Sequence, residues 1–156
     1  MIIRFAIDAD TPGIHRLLSQ VLELHAEIRP DIFIPGTTKY TTEELAAMLK
    51  DETRRIYAAA DENDDMIGYA FCELRTTPDG PMLVGQTTLF VNDLCVDETA
   101  RGRGVGRALM HHVAELARKT GCRSVTLNVW ACNEGARRFY EALGMQERLR
   151  VMELPL

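Results

Sequence analysis

The sequence lacks the features that would send it to a membrane, a zinc finger or a nucleic acid. It has no long apolar run, and its opening, MIIRFAIDAD, is too short and too acidic for a secretory leader. None of its four cysteines, Cys72, Cys95, Cys122 and Cys132, forms a Cys-x-x-Cys pair, and no histidine stands at finger spacing. No bound metal is therefore expected. Cys72, Cys95 and Cys122 lie among apolar neighbours and read as reduced core residues, which points to a reducing cytoplasm. A basic excess is missing too: 18 Lys and Arg face 23 Asp and Glu, for a net charge of −5. Duplex DNA or RNA is not the expected partner; a cationic molecule suits such a surface better.

What is present fits one domain over residues 1–156, with room for one substantial core. No repeat or low-complexity stretch interrupts it. Residues 2–7 read as a strand, and Asp10-Thr11-Pro12 opens a helix that runs to about Ile28 and is stopped by Pro30. A short helix follows from Thr42 to about Lys50. Residues 54–60 and 66–75 read as strands around a polar turn, 76–86 as a loop rich in Pro and Gly, and 87–97 as a strongly β-prone strand. A helix is predicted from Val105 to about Thr120, closed by Gly121, then a strand over 123–130. Asn133 caps a helix from Glu134 to Leu143 that Gly144 stops, and 145–154 reads as a last strand or strand pair. The expected fold is an α/β domain, a mixed sheet of six or seven strands flanked by about four helices.

The most informative segment is Arg101-Gly102-Arg103-Gly104-Val105-Gly106-Arg107, placed between a predicted strand and a predicted helix. Alternate glycines let a backbone approach a ligand without Cβ clashes, and the free amides of a helix start favour an anion. On physical grounds this is a phosphate or diphosphate cradle, with the arginines adding charge-assisted contacts. The plain alternative is a tight turn with solvated arginines. A Walker loop would need Gly-Lys-Ser/Thr, which is absent, and in a dinucleotide fingerprint the third glycine would stand where Arg107 does.

These residues resemble the GCN5-related N-acetyltransferase (GNAT) superfamily. Arg101, Gly104 and Gly106 match its Arg/Gln-x-x-Gly-x-Gly/Ala motif, and Asp93-Leu94-Cys95-Val96-Asp97 matches the strand before it. A second match runs from Asn133 through Ala136, Phe139 and Tyr140 to Leu143-Gly144-Met145. The resemblance implies acetyl-CoA as donor, an amine acceptor, and direct transfer in a ternary complex. It implies that the main chain of Leu94, Cys95 and Val96 holds the pantetheine and the thioester carbonyl. The turn from Arg101 to Arg107 would hold the diphosphate, Asn133 would touch the pantetheine arm, and Tyr140 would sit near the sulfur. Homodimers are common in this family, and the last strand is the candidate interface.

The chemistry makes its own demands. An amine with a pKa of roughly 10 must lose a proton before it attacks, and the departing thiolate benefits from a nearby acid. Tyr140 shares a helical face with Ala136, Phe139 and Leu143 and offers a hydroxyl; a half-buried core tyrosine is the other reading. Some relatives carry a glutamate on the strand after the main helix, but Asn128 stands there. Asp93 is the alternative base, direct or through water; a plain strand residue, or a base relayed by water alone, stays open. Cys95 lacks a neighbouring histidine to activate it as a nucleophile. His25, Arg29, Asp31 and Phe33 gather where the first helix breaks into a loop. They either contact the acceptor or tie the helix end, with Arg29 bound to Asp31 and Phe33 plugging the core. The acceptor, a small molecule or a protein amine, is left open. So is a second class of function, an acyl-CoA-binding sensor without turnover, which Asn128 keeps alive. A nucleotide or phosphate-ester enzyme would need a metal-binding acidic cluster beside the turn; Asp93, Asp97 and Glu98 are near in sequence, but no supporting lysine motif exists.

Overall fold

A computed structural model describes residues 1–156. Its elements are β1 (Ile2–Phe5), α1 (Thr11–Ile28), α2 (Thr42–Lys50), β2 (Arg54–Ala60), β3 (Met66–Thr77), β4 (Gln86–Val96), α3 (Val105–Lys119), β5 (Ser124–Leu127) and α4 (Glu134–Glu141), with short 3₁₀ turns at Asp8–Asp10 and Glu98–Ala100. Strands β1 to β4 form an antiparallel meander in sequence order, and β5 adds to β4 in parallel through α3.

The alternation of side chains along the central strands sends helices to both faces. Tyr57, Ala59, Ala70, Cys72, Leu89 and Val91 face Val105, Leu109, Val113 and Ala117 of α3. Ile56, Ala58, Tyr69, Phe71 and Cys95 face Ile14, Leu17 and Leu18 of α1 and Leu45 and Met48 of α2. Both clusters contain residues with no exposed surface, including Leu17, Leu45, Leu89, Leu109 and Val113. Truncating any of these leucines removes about 2–5 kcal/mol by the usual cavity cost.

The α/β class, the mixed sheet and the four helices are as the sequence implies. The sheet has five strands, however, and not six or seven. Residues 145–154 form no strand: after Met145 no backbone hydrogen bond is made, and Leu149, Val151, Met152 and Leu154 stand exposed. β-prone composition does not suffice where no neighbouring strand offers a ladder. Strand β5 is shorter than 123–130 because its partner turns away. In the β3–β4 ladder Phe71 faces Asp93 and Cys72 faces Val91, so Asn92 is an extra residue, a bulge. The β4–β5 pairing ends at Val91 and Leu127, just before it.

Asp97 anchors the end of β4. Its carboxylate is buried, accepts bonds from the Thr99 amide (3.0 Å) and hydroxyl (2.7 Å), and pairs with Arg16 of α1. Burial alone would raise its pKa; the Thr99 and Arg16 bonds outweigh it and bring it down to about 2, from 3.8. A depressed carboxyl pKa stabilises the fold above the unfolded value and ceases to do so as pH falls through the folded one. Arg16 is half exposed, so the contribution is about 1–2 kcal/mol. Asp97→Asn is expected to lower urea stability by that amount at pH 7, and the gap to the parent protein should close between about pH 4 and pH 2.

Candidate active site

Beyond Val91 the two central strands part, and β4 continues alone on that side through Asn92, Asp93, Leu94, Cys95 and Val96. An opening between parallel strands at their carboxyl ends is where ligands of α/β sheets sit. Leu94 and Val96 pack toward α3, whereas Cys95 packs toward α1. The Cys95 thiol donates to the Leu17 carbonyl at 3.4 Å. Burial first, then the charge of Asp93, pushes it up to about 12. That thiol is a core group, as the sequence suggests, and what Cys95 offers the opening is its main chain.

The turn after β4 is built to leave amides free. Gly102 and Gly104 adopt φ of +76° and +80°, where a side chain is strained, and nothing lies within 4 Å of an added Cβ at either. Gly104 is the N-cap of α3 and provides no side-chain cap. The amides from Gly102 to Arg107 donate to no group in the chain. Successive free N–H groups at a left-handed turn and a helix start form an anion nest. The first turn of α3 carries no acidic residue to neutralise it.

Not every residue of the motif plays the part its spacing suggests. Gly106 is small for packing: an added Cβ would lie 3.1 Å from Phe139 of α4 and 3.5 Å from Val96. Val105 is buried in the α3 core. Arg101 turns back, its Nε 3.4 Å from the Val96 carbonyl, while Arg103 and Arg107 form no ion pair. Two free guanidinium groups and the amide nest suit a diphosphate. Asn133 caps α4, its Oδ1 accepting from the Ala136 amide at 3.1 Å, which leaves its Nδ2 free to donate to a ligand.

Tyr140 lies half-buried on α4, packed against the α3-side core with Phe139 and Leu143. Burial, with the charge of Asp93 added, pushes its hydroxyl up to about 12, so it stays protonated and able to donate. Asp93 has a nearly buried side chain whose Oδ2 binds Lys39 Nζ at 2.8 Å. Around it stand Tyr69, whose buried hydroxyl has no hydrogen-bond partner, and His25. Burial lowers the pKa of His25, the Asp93 charge opposes this, and Lys39 adds to it.

Of the two readings that the sequence leaves open for the end of α1, the structure shows the tie. Arg29 ties the helix end to Asp31 through bonds of 2.8 and 2.6 Å and reaches Glu153 at 3.1 Å. Phe33, however, does not plug the core. It stands half-exposed between His25 (ring centroids 5.0 Å) and Trp130 (5.6 Å, edge to face), and Arg29 lies over the Trp130 ring. The result is an aromatic wall beside the opening. Lys39, Tyr69 and Trp130 are the members that sequence reasoning missed. Nothing local marks Lys39, which meets Asp93 only through a loop between two helices.

Residues 18–145 match the acetyltransferase (GNAT) family. The chain belongs to that family. It is 43% identical over 58 residues to an uncharacterized N-acetyltransferase, MJ1207, of Methanocaldococcus jannaschii, covering 37% of this chain and 26% of that protein. It is 36% identical over 72 residues to a glucosamine 6-phosphate N-acetyltransferase of Trypanosoma brucei brucei, covering 46% and 47%. The chain thus spans less than half the length of these two relatives. A crystal structure of the BH1408 protein from Bacillus halodurans, a tetramutant, covers 100% of both chains with 35% identity and a TM-score of 0.96. The family implies acetyl-CoA as donor, and the nest's free amides and open glycines fit a diphosphate such as that group carries. Gly104→Glu places a carboxylate in the nest and a side chain at φ +80°. It is expected to weaken acetyl-CoA binding at least about a hundredfold in calorimetry, since charge-assisted bonds contribute roughly 1.5–3 kcal/mol each.

Proposed function

We propose that this chain is an N-acetyltransferase that moves an acetyl group from acetyl-CoA directly onto a primary amine carried as a cation. The observation that carries the reading is the pair of unfilled backbone stretches in one strand–turn–helix unit, the free edge of β4 and the amide nest, separated by the hydrogen-bonded turn at residues 97–101. In this reading the Leu94, Cys95 and Val96 main chain aligns the pantetheine and the thioester carbonyl. The amides of Gly102 to Arg107, with the free guanidinium groups of Arg103 and Arg107, hold the diphosphate, while Arg101 stays turned back onto the Val96 carbonyl; Asn133 donates through Nδ2. Acetyl-CoA supplies the activated acyl group; the protein's own residues supply protons and position.

Asp93 receives the acceptor ammonium and takes up its proton, directly or through water. Its retention of a lysine ammonium supports that role. Tyr140 gives its proton to the departing thiolate. His25, Phe33 and Trp130 wall the acceptor, and Arg29 and Asp31 stiffen that wall. The same reading puts the protein in a reducing cytoplasm, acting on a small or protein-borne amine and not on a nucleic acid or a membrane. A homodimer through the exposed apolar segment Leu149–Leu154 belongs to it as well.

An acceptor screen that follows release of free thiol tests the reading. Thiol release with at least one amine is expected, with kcat/KM rising from pH 6 to pH 9 as the amine, of pKa roughly 10, loses its proton. Tyr140→Phe should lower kcat about 10²-fold, the lower range for a positioned acid, and leave acetyl-CoA affinity nearly unchanged. Tight acetyl-CoA binding without release toward any amine would favour the sensor instead.

A further inference from the structure

The carboxylate assigned to the acceptor already holds a primary amine of this chain. Lys39 lies between α1 and α2, with its side chain 41% exposed, and delivers its ammonium to Asp93, whose side chain is 8% exposed. The exposed stem thus ends on a nearly buried carboxylate, 2.8 Å from Oδ2. The groups facing the pair come from every neighbouring element: His25 of α1, Tyr40 beside Lys39, Tyr69 of β3 and Tyr140 of α4. Burial works against the Lys39 charge, but Asp93 outweighs it and raises its pKa. Asp93 follows directly on the bulged Asn92 and precedes Leu94–Val96, the free edge of β4.

We infer that Lys39 is a site of self-acetylation, and that its modification releases Asp93 for external amines. The inference rests on the N-acetyltransferase reading above. The step is an acyl transfer. Lys39 loses a proton toward Asp93, and neutral Nζ attacks the thioester carbonyl. An N–C bond forms as the C–S bond breaks, the second amine proton leaves, and the thiolate takes up one proton from Tyr140, which solvent restores. Ammonium and thioester become amide, free thiol and one released proton, with no oxidant or further reactant. The product amide carries no charge, so Asp93 loses its internal cation. Because the ion pair holds Lys39 protonated, the reaction is slow near neutrality and accelerates with pH.

The chain contains its own controls. Its other lysines, Lys50 at the end of α2 and Lys119 at the end of α3, are exposed and form no ion pair with Asp93. Solution acetylation would favour them over an amine paired with a carboxylate. The experiment incubates the full chain with acetyl-CoA and no added amine, then maps acetyl groups by peptide mass spectrometry over time.

One acetyl per chain is expected on Lys39, at a first-order rate independent of protein concentration. It should outpace Lys50 and Lys119 at least about tenfold, a fraction of the 10²–10⁴ that positioned acid–base groups provide. Tyr140→Phe should slow it, and Lys39→Arg should remove it. Equal labelling of the three lysines, or a rate proportional to protein concentration, overturns the inference. An unlabelled Lys39 in protein that turns over external amines overturns it too and leaves the proposed function standing. Failure to bind acetyl-CoA, measured on the same sample by calorimetry, removes that function and the inference together.

Discussion

The site depends on one loss of pairing: β4 and β5 stop sharing hydrogen bonds at Val91 and Leu127. Backbone amides and carbonyls are obligatory partners, so a strand that keeps running after its neighbour has left must find water or a ligand. The bulge at Asn92 is the local cause, since an extra residue bends the strand it sits in and raises its twist. Asp97 holds the far end of the free stretch in place through Thr99 and Arg16. The next unpaired groups in the chain are the amides of Gly102 to Arg107. The two unfilled stretches, at the mid-sheet and at the surface, are joined by the hydrogen-bonded turn at residues 97–101, an arrangement that suits an extended ligand with an anionic end.

Charge is sorted along that arrangement. Arg103 and Arg107 are without acidic partners at the outer end, and Asp93 lies at the inner end with a cation beside it. Asp97 stands between them in sequence and would repel a diphosphate if its charge were free. It is not free: Thr99 and Arg16 hold its oxygens and absorb the charge locally. The protein's net charge of −5 says nothing of this arrangement, because a few oriented groups in a half-buried opening govern what binds there.

Much of this was legible in the sequence because its causes are local. Glycines at 102 and 104 between a β-prone run and an amphipathic helix imply an open backbone and a free helix start, and both occur, with the two glycines in the left-handed region. Asn133 was legible as a cap, and Ala136, Phe139, Tyr140 and Leu143 as one face. What was hidden is tertiary. Gly106 reads as part of the cradle, yet its smallness answers to Phe139, on a helix that starts 28 residues later. The Lys39–Asp93 pair joins positions 54 apart through a loop without a periodic pattern. The absent last strand could not be foreseen either. Residues 145–154 have the composition for pairing, and composition does not supply a neighbour.

The contrast between Cys95 and Tyr140 bears on how transfer proceeds. Both lie near the opening, and burial raises both to about 12. For a thiol that shift is disabling, because only the thiolate is a strong nucleophile. Cys95 is further committed to the Leu17 carbonyl on the α1 face. For a phenol whose task is to give up a proton, the same shift keeps the donor protonated across the physiological range. The environment thus withdraws the group that would form an acyl-enzyme and preserves the one that would serve a departing thiolate. Under the proposed function, direct attack by an amine at Asp93 is the route that uses the groups left available.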